Sequence, residues 1–570
     1  MYTKRRNYSI LTLAVSLVVG AYHQAVAQTA FVPNDPYFFP DLSRYAGQGQ
    51  WHLVDQVFGG NLDVNVQEAW NSGITGKGVT IGFVSGGFET AHPDLAPNYA
   101  AADSWDFVGG DAVPDPVDNI TGTMAAGVAA ARGGNGIGVT GAAPYASIAG
   151  LRIDSKSSAD IVAGILYHSS GSNTNIDIKV LSAPSPYPSS VLVSIPAEEK
   201  EALRESAKAG TIQVVAAGDT RPPPKYGAFG GDSNKHDFLN ESSVIAVASL
   251  SFEGKYAESS SFGNNVFVTA PSSAPFQIDP FIPPEILGIV TTDLVGPNGF
   301  GWREPFYGPV DVHPDYTNMA EGTVPASALV GGVLALAKEV QPNLDTRFAK
   351  HLLVRTSAIV DPDDNTYTGG GDPWGSPGSA WLTNAAGNHF NQNYGFGLID
   401  ASKLVSAATQ YAGVTELITE TTGGAVNQTI PDDGTFATAE FTLTTTAAPL
   451  EDILVTLTID HEFVGDIEAY LVSPEGTSTR LMSSGLEGFG NPQHLEWTLL
   501  ANAFWGENGA GVWTLKLTDI SGGGLYNGEW TSFEVEAHFG DLVSVPEPGT
   551  TMLLAVSGIV LLRRRARTAK

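Results

Sequence analysis

The chain has 570 residues, no cysteine, 29 Lys and Arg against 60 Asp and Glu, and a formal net charge of -31. That charge repels phosphate backbones and anionic lipid surfaces, which excludes nucleic acid as a partner, and the lack of cysteine excludes disulfides, thiolate catalysis and Cys-based metal centres. A length of this order holds roughly two to four domains of about 150 residues, and 65 Gly with 35 Pro favour turn-rich strand or α/β architecture over a helical bundle.

At the start of the chain Lys4, Arg5 and Arg6 precede an apolar stretch from Ile10 to Ala21, and Ala25-Val26-Ala27 supplies a small-x-small cleavage pattern. Residues 1–27 therefore read as a secretory signal peptide, since the apolar stretch is too short to span a bilayer. From Gly76 to Ala408 short apolar runs alternate with helical patterns. Gly78 to Val84 reads as a buried strand, Gly122 to Ala131 as a small-residue helix and Ala197 to Ala209 as a charged amphipathic helix. Thr211 to Ala217 and Ser243 to Ala248 are β-branched runs suited to strands covered on both faces, and Ser327 to Val340 reads as an apolar helix. Such alternation predicts an α/β fold with a parallel sheet and helices on both sides.

Along these runs the sequence resembles the subtilisin-like serine peptidases (peptidase S8), and within them the kexin-like branch. Asn34-Asp35-Pro36 and Gln50-Trp51-His52-Leu53 resemble that branch's entry segment. His92-Pro93-Asp94-Leu95, Gly122-Thr123-Met124-Ala125, Gly138-Val139-Thr140-Gly141, Ser261-Phe262-Gly263 and Tyr394-Gly395-Phe396-Gly397 follow in family order. The resemblance covers residues 34–408 and implies the subtilisin-like sheet with flanking helices. The segment between Ala27 and Asn34 is too short for the propeptide that active relatives carry, which accords with a chain that has no activity to restrain.

The family's chemistry needs a carboxylate, an imidazole and a hydroxyl in chain order Asp, His, Ser, with donors for the oxyanion. Counting back seven positions from His92 to the end of the strand, the carboxylate slot holds Ser85. The histidine slot, directly before Gly122-Thr123, holds Thr121, whose hydroxyl has no pKa near neutrality and cannot act as a base. The nucleophile slot, after Gly322-Thr323, holds Val324, which has no nucleophilic atom. The oxyanion-hole asparagine is replaced by Asp219, whose ionised form repels a developing oxyanion, whereas a carboxyl forced neutral would donate a hydrogen bond to it. In subtilisin, a member of this superfamily, loss of the nucleophile or the base alone lowers kcat by about a millionfold.

Beyond residue 412, where the preceding helix is expected to end, Thr/Val-rich stretches alternate with period two, as in Glu440 to Leu443 and Asp452 to Ile459. His461-Glu462-Phe463-Val464-Gly465-Asp466, Ser473-Pro474-Glu475-Gly476-Thr477 and Gly511-Val512-Trp513-Thr514-Leu515 resemble the P domain (Homo B domain) that follows kexin-like domains. Residues 416–540 are thus expected to form an all-β, jelly-roll-like sandwich, with Trp497, Trp505, Trp513 and Trp530 in core or interdomain packing. The tail, Val545-Pro546-Glu547-Pro548, an apolar stretch from Thr551 to Leu562, and Arg563, Arg564, Arg565 and Arg567, resembles the PEP-CTERM sorting signal of Gram-negative bacteria. That resemblance, over residues 545–570, implies transient membrane anchoring and cleavage by an exosortase, as residues 1–27 imply a signal peptidase. The destination is the cell surface or extracellular matrix.

No cofactor is required on this reading. Structural Ca2+ is implied by the kexin-like and P-domain resemblance, with oxygen-rich loops at Asp361 to Asn365 and Asp115 to Asn119. Two functions are compatible with these observations. The first is a catalytically inactive pseudoprotease that acts at the surface as a scaffold or holds a peptide or protein ligand. The second is a secreted serine endopeptidase with a relocated site, using Ser327, one helical turn beyond Val324, with His92 or His313 as base.

Overall fold

The computed structural model describes residues 29–39, 49–55, 62–117, 120–182, 192–221, 230–273, 288–301, 314–366, 380–485, 493–520 and 527–545. The signal peptide, His313 and all of the sorting segment except Val545 lie outside the described residues.

Seven strands form one parallel sheet: β1 (Thr80–Ser85), β2 (Trp105–Asp106), β3 (Ser147–Arg152), β4 (Ile178–Leu181), β5 (Ile212–Ala216), β6 (Ile245–Ser251) and β7 (Val266–Ser273). Their spatial order is β2-β3-β1-β4-β5-β6-β7. Alternate side chains serve opposite layers, as the period-two pleat requires. Phe83, Ile178, Val180 and Val214 face a core shared with the helices Thr121–Ala130 and Thr323–Val340, whereas Val84, Leu181 and Val215 face the helices Ser158–Leu166 and Ala197–Lys208. The helix Thr323–Val340 is long and apolar enough to cross a membrane, but it is enclosed in this core. It touches the helix Thr121–Ala130 almost backbone to backbone. A methyl group on Gly332 would lie 2.7 Å from the Ala129 carbonyl oxygen and 2.8 Å from Ala142 Cβ, so glycine sets the helix spacing there.

The expected helix to residue 412 stops at Ala408, and Tyr411–Val414 instead pairs antiparallel with Leu542–Ser544. The partner strand lies at the far end of the second domain, so no local pattern announces it. That domain is a sandwich of two four-stranded antiparallel sheets. One runs Ile418–Ile430, Gly528–Phe539, Leu450–Asp460, His494–Ala501 in space, and the other Ala437–Leu443, Gly511–Asp519, Ile467–Val472, Ser478–Met482. Trp513 and Trp530 are fully buried between them, with Phe441 stacked on Trp513 at 6.0 Å. The edge strand Ile418–Ile430 is exposed along most of its length, is bulged between Ala425 and Gln428, and has Asn427 at φ 49. Its Glu420 carboxylate accepts the Thr444 and Thr445 amides at 2.8 and 2.9 Å.

The two domains are joined by buried polar groups. Lys235 donates to the carbonyls of Ser484 and Gly485 at 3.0 and 2.8 Å, and burial pulls its ammonium pKa down to about 8. Asn234 Nδ2 donates to Leu500 O at 2.9 Å while its own carbonyl accepts Trp497 Nε1 at 2.8 Å. Arg347 and His351 both bind Glu451, and Ser242 donates to Asp452 at 3.0 Å beside His538, which sits within the second domain between Asp452 at 2.7 Å and Glu536 at 2.8 Å. Trp505 enters the core of the first domain, edge-on to Phe267 at 5.5 Å and to His351 at 4.9 Å.

Replacing Trp505 with alanine should lower the unfolding free energy by about 3–5 kcal/mol, and calorimetry should resolve one cooperative transition into two. Burial alone would lower the His538 pKa, but Asp452 and Glu536 outweigh it and hold the imidazole up at about 10. A raised folded-state pKa contributes stability that is complete below the unfolded value of 6.5 and is lost as pH rises through about 10. The stability gap between wild type and His538→Gln, read from urea unfolding, should therefore be largest near pH 6 and shrink toward pH 10.

Candidate functional site

The four positions expected to hold the triad and oxyanion groups fall in two pairs, one where β1 ends and the helix Thr121–Ala130 begins, the other where β5 ends and the helix Thr323–Val340 begins. Ser85 closes β1 and is 8% exposed, with its hydroxyl accepting the Gly87 amide at 3.3 Å. It lies directly against the helix that Thr121 opens, since a methyl group on Gly122 would meet Ser85 Oγ at 2.8 Å. That helix is held from its other side by the strand β8 (Ile289–Thr292), which pairs with β9 (Tyr316–Ala320). Thr292 and Thr291 hydroxyls donate to the Thr123 and Met124 carbonyls at 2.7 and 3.0 Å.

The second pair is Asp219 and Val324. The helix expected from Ser327 starts one turn earlier, at Thr323, because Gly322 turns the chain at φ 91 and Asp219 receives the freed backbone donors. Both Asp219 carboxylate oxygens lie 3.0 Å from Thr323 N, Oδ2 accepts the Thr323 hydroxyl at 2.9 Å, and Ser259 Oγ donates to Oδ1 at 3.3 Å. Packing raises this carboxyl's pKa, while Thr323 and Ser259 oppose the shift. The residue is open to solvent on its outer side and sits at a helix N-terminus, a position that favours negative charge. Val324, the second residue of the helix, is half-buried and packs on the main core.

Asp219 thus engages the first backbone amide and the first side-chain hydroxyl of this helix. Sequence reasoning placed Asp219 in the oxyanion slot but missed its partner Thr323; a Gly-Thr pair opening an apolar helix, with an aspartate ending a strand upstream, was the available signal. Both described residues of the relocated reading, Ser327 and His92, are engaged by protein groups. Ser327 is fully buried and donates to the Val324 carbonyl at 2.8 Å. His92 has both ring nitrogens engaged, Nε2 with Asp315 O at 3.0 Å and Nδ1 with the Asp94 amide at 3.1 Å, and burial lowers its pKa.

The segment after β1 is ringed with acid. Glu89 accepts the Val295 amide at 2.7 Å; burial raises its pKa, and Asp115, Asp315 and Asp293 add to the rise. Glu321, beside Asp219, is likewise raised by burial and by that neighbour. In the loops where Ca2+ is expected, several described carboxylate oxygens are engaged by protein donors. Asp115 Oδ1 takes the Thr90 amide and hydroxyl at 2.8 Å each, and Asp364 Oδ2 takes the Asn391 and Asn393 side-chain amides at 3.1 and 2.8 Å. Asp361 Oδ2 accepts the Tyr394 hydroxyl at 3.1 Å. These oxygens point at protein donors, and among the described residues no three acidic or histidine side chains converge as a metal cage; Asn119 lies outside the described residues.

Comparison with known proteins agrees with this architecture. Residues 76–397 match the subtilase family, and residues 450–536 match the proprotein convertase P-domain. The chain is 30% identical over 512 residues to proprotein convertase subtilisin/kexin type 6 of Rattus norvegicus, covering 85% of this chain and 49% of that protein, so it spans about half the relative's length. It is 30% identical over 511 residues to neuroendocrine convertase 2 of Homo sapiens, covering 85% of this chain and 71% of that one. An extracellular serine protease of Aeromonas sobria is 29% identical over 535 residues, covering 83% and 84%. The crystal structure of the serine protease of Aeromonas sobria superposes with a TM-score of 0.75 at 24% identity, covering 90% of this chain and 97% of that one.

A methyl group on Gly322 would meet the Asp219 carboxylate at 2.7 Å in a backbone conformation that L side chains rarely adopt. Gly322→Ala should therefore destabilise the fold by about 1–3 kcal/mol, and Asp219→Ala by about 1–3 kcal/mol through loss of a charged acceptor, both read by denaturant unfolding.

Proposed function

The chain belongs to the subtilase family, and we propose that it is an exported pseudoprotease that holds peptide or protein ligands without cleaving them. The observation that carries this reading is the Asp219 carboxylate seated on the Thr323 amide, beside a valine where the nucleophile would be. Ser85, Thr121 and Val324 supply no carboxylate, no imidazole and no nucleophile at the triad positions, so the acyl-enzyme route is closed at each step. The scaffold that would bind an extended peptide is retained, and the acidic ring of Glu89, Asp115, Asp293 and Asp315 favours a cationic one. Residues 1–27 and 545–570 support delivery to the cell surface or extracellular matrix, with signal peptidase and exosortase as processing enzymes.

A fluorophosphonate probe should label the purified protein no more than it labels a heat-denatured sample, and a Lys/Arg-rich peptide should remain intact while binding with an affinity that falls as salt rises. Labelling together with peptide turnover, both abolished by Ser327→Ala, would establish instead a secreted endopeptidase with a relocated site.

A further inference from the structure

The seam between the domains encloses a cavity of about 480 Å³, a volume that suits a small organic molecule. Its walls are apolar where Trp505, Leu454 and Ala207 line it, and Leu417 stands 41% exposed at its edge. Charged groups of both signs also line it, but they are not equivalent. Every carboxylate is already answered. Glu241 is held by Arg204 at 2.9 and 3.0 Å, and Glu451 by Arg347 and by His351. Asp452 is held by His538 and Ser242, Glu536 by His538, and Asp345 by the Phe348 amide at 2.8 Å.

The lining cations match the carboxylates in number, and Lys350 stands in the field of Asp452 and Glu451, but the lysine donors are not all used. Lys350 is buried, and its ammonium, with three donors, makes one hydrogen bond among the described residues, to Ser242 O at 2.8 Å, while leaning on the Phe267 ring at 5.0 Å. Lys208, at the end of the helix Ala197–Lys208, is exposed and has no ion-pair partner among the described residues. Ser242 Oγ also lies 3.3 Å from His538 Nδ1, but His538 is held as an imidazolium between two carboxylates and is no base, so this pair does not hydrolyse.

Spare donors, filled acceptors and apolar walls define one ligand chemistry. We propose that the cavity binds an amphipathic organic carboxylate, whose anion meets Lys350 and Lys208 and whose apolar body lies along Trp505, Leu454 and Leu417. A ligand there touches both domains at once, so it stabilises the seam by mass action. A bare inorganic anion would leave the apolar walls wet, and an uncharged alcohol would leave the ammonium groups unanswered. The inference does not depend on whether the chain cleaves peptides.

Calorimetric titration of the purified protein with octanoate, octanol and inorganic phosphate tests it. Octanoate should bind at one site, octanol at least about tenfold more weakly and phosphate not at all, and octanoate should raise the melting temperature. Lys208→Gln should weaken octanoate about tenfold, Lys350→Met more, and Leu417→Asp should abolish binding. If Lys350→Met does not fold, Lys208→Gln and Leu417→Asp, both at exposed positions, carry the test. No octanoate binding, equal binding of octanol and octanoate, or octanoate binding unchanged in Lys208→Gln and Leu417→Asp would each overturn the proposal.

Discussion

A long apolar helix cannot begin inside a protein unless something answers its first amides. Here the helix Thr323–Val340 runs through the core beneath the sheet, and its start is answered by Asp219 from the loop after β5. The surrounding contacts converge on the same point. Gly218 N donates to the Thr323 hydroxyl at 3.1 Å, the Ser272 hydroxyl caps the Gly322 carbonyl, and Ser249 and Ser272 are joined at 2.8 Å. A hydrolytic subtilase would keep this position open for a transient negative charge. In this chain the Asp219 carboxyl is built in at that point and orders the start of the helix.

The seam between the domains obeys a related rule. Burying an amide there is costly unless it finds partners, and the seam asparagines find several. Asn234 binds Asn240 and Leu500 through its amide, receives Asn264 N through its carbonyl oxygen, and offers its backbone carbonyl to Trp497. Asn502 reaches back to the carbonyls of Asn264 and Asn265. Because each group has one geometric solution, the interface specifies a single docking angle where an apolar patch of equal area would accept several. Trp505 supplies the apolar anchor at its centre.

Much of the architecture was legible because burial writes itself into local pattern. β-branched runs such as Thr211 to Ala217 and Ser243 to Ala248 correspond to β5 and β6, and the small residues after Gly122 correspond to a helix that must pass close to another. Counting from neighbouring motifs points to Ser85, Thr121 and Val324 as the positions to compare with a triad. What stayed hidden depends on tertiary partners. The first turn of the Thr323 helix owes its existence to a distant aspartate, the strand at Tyr411–Val414 to a segment at the other end of the second domain, and the seam to asparagines and Lys235 that read as loop surface. The four tryptophans show the same divide: Trp497, Trp513 and Trp530 sit on strands, whereas Trp505 lies in a turn and packs into the core of the neighbouring domain.

The bulged outer strand of the sandwich bears on how copies of this protein coexist. A straight strand of this length, open along its side, is a template on which a neighbour's strand can zip. The Ala425 to Gln428 bulge breaks the hydrogen-bond register midway, Asn427 turns the backbone out of the extended form, and Glu420 already grips the amides of Thr444 and Thr445. An incoming strand finds two short, misaligned rows of partners with a carboxylate at one end. Molecules carrying so much like charge can then stand at high density side by side, crowded yet separately folded.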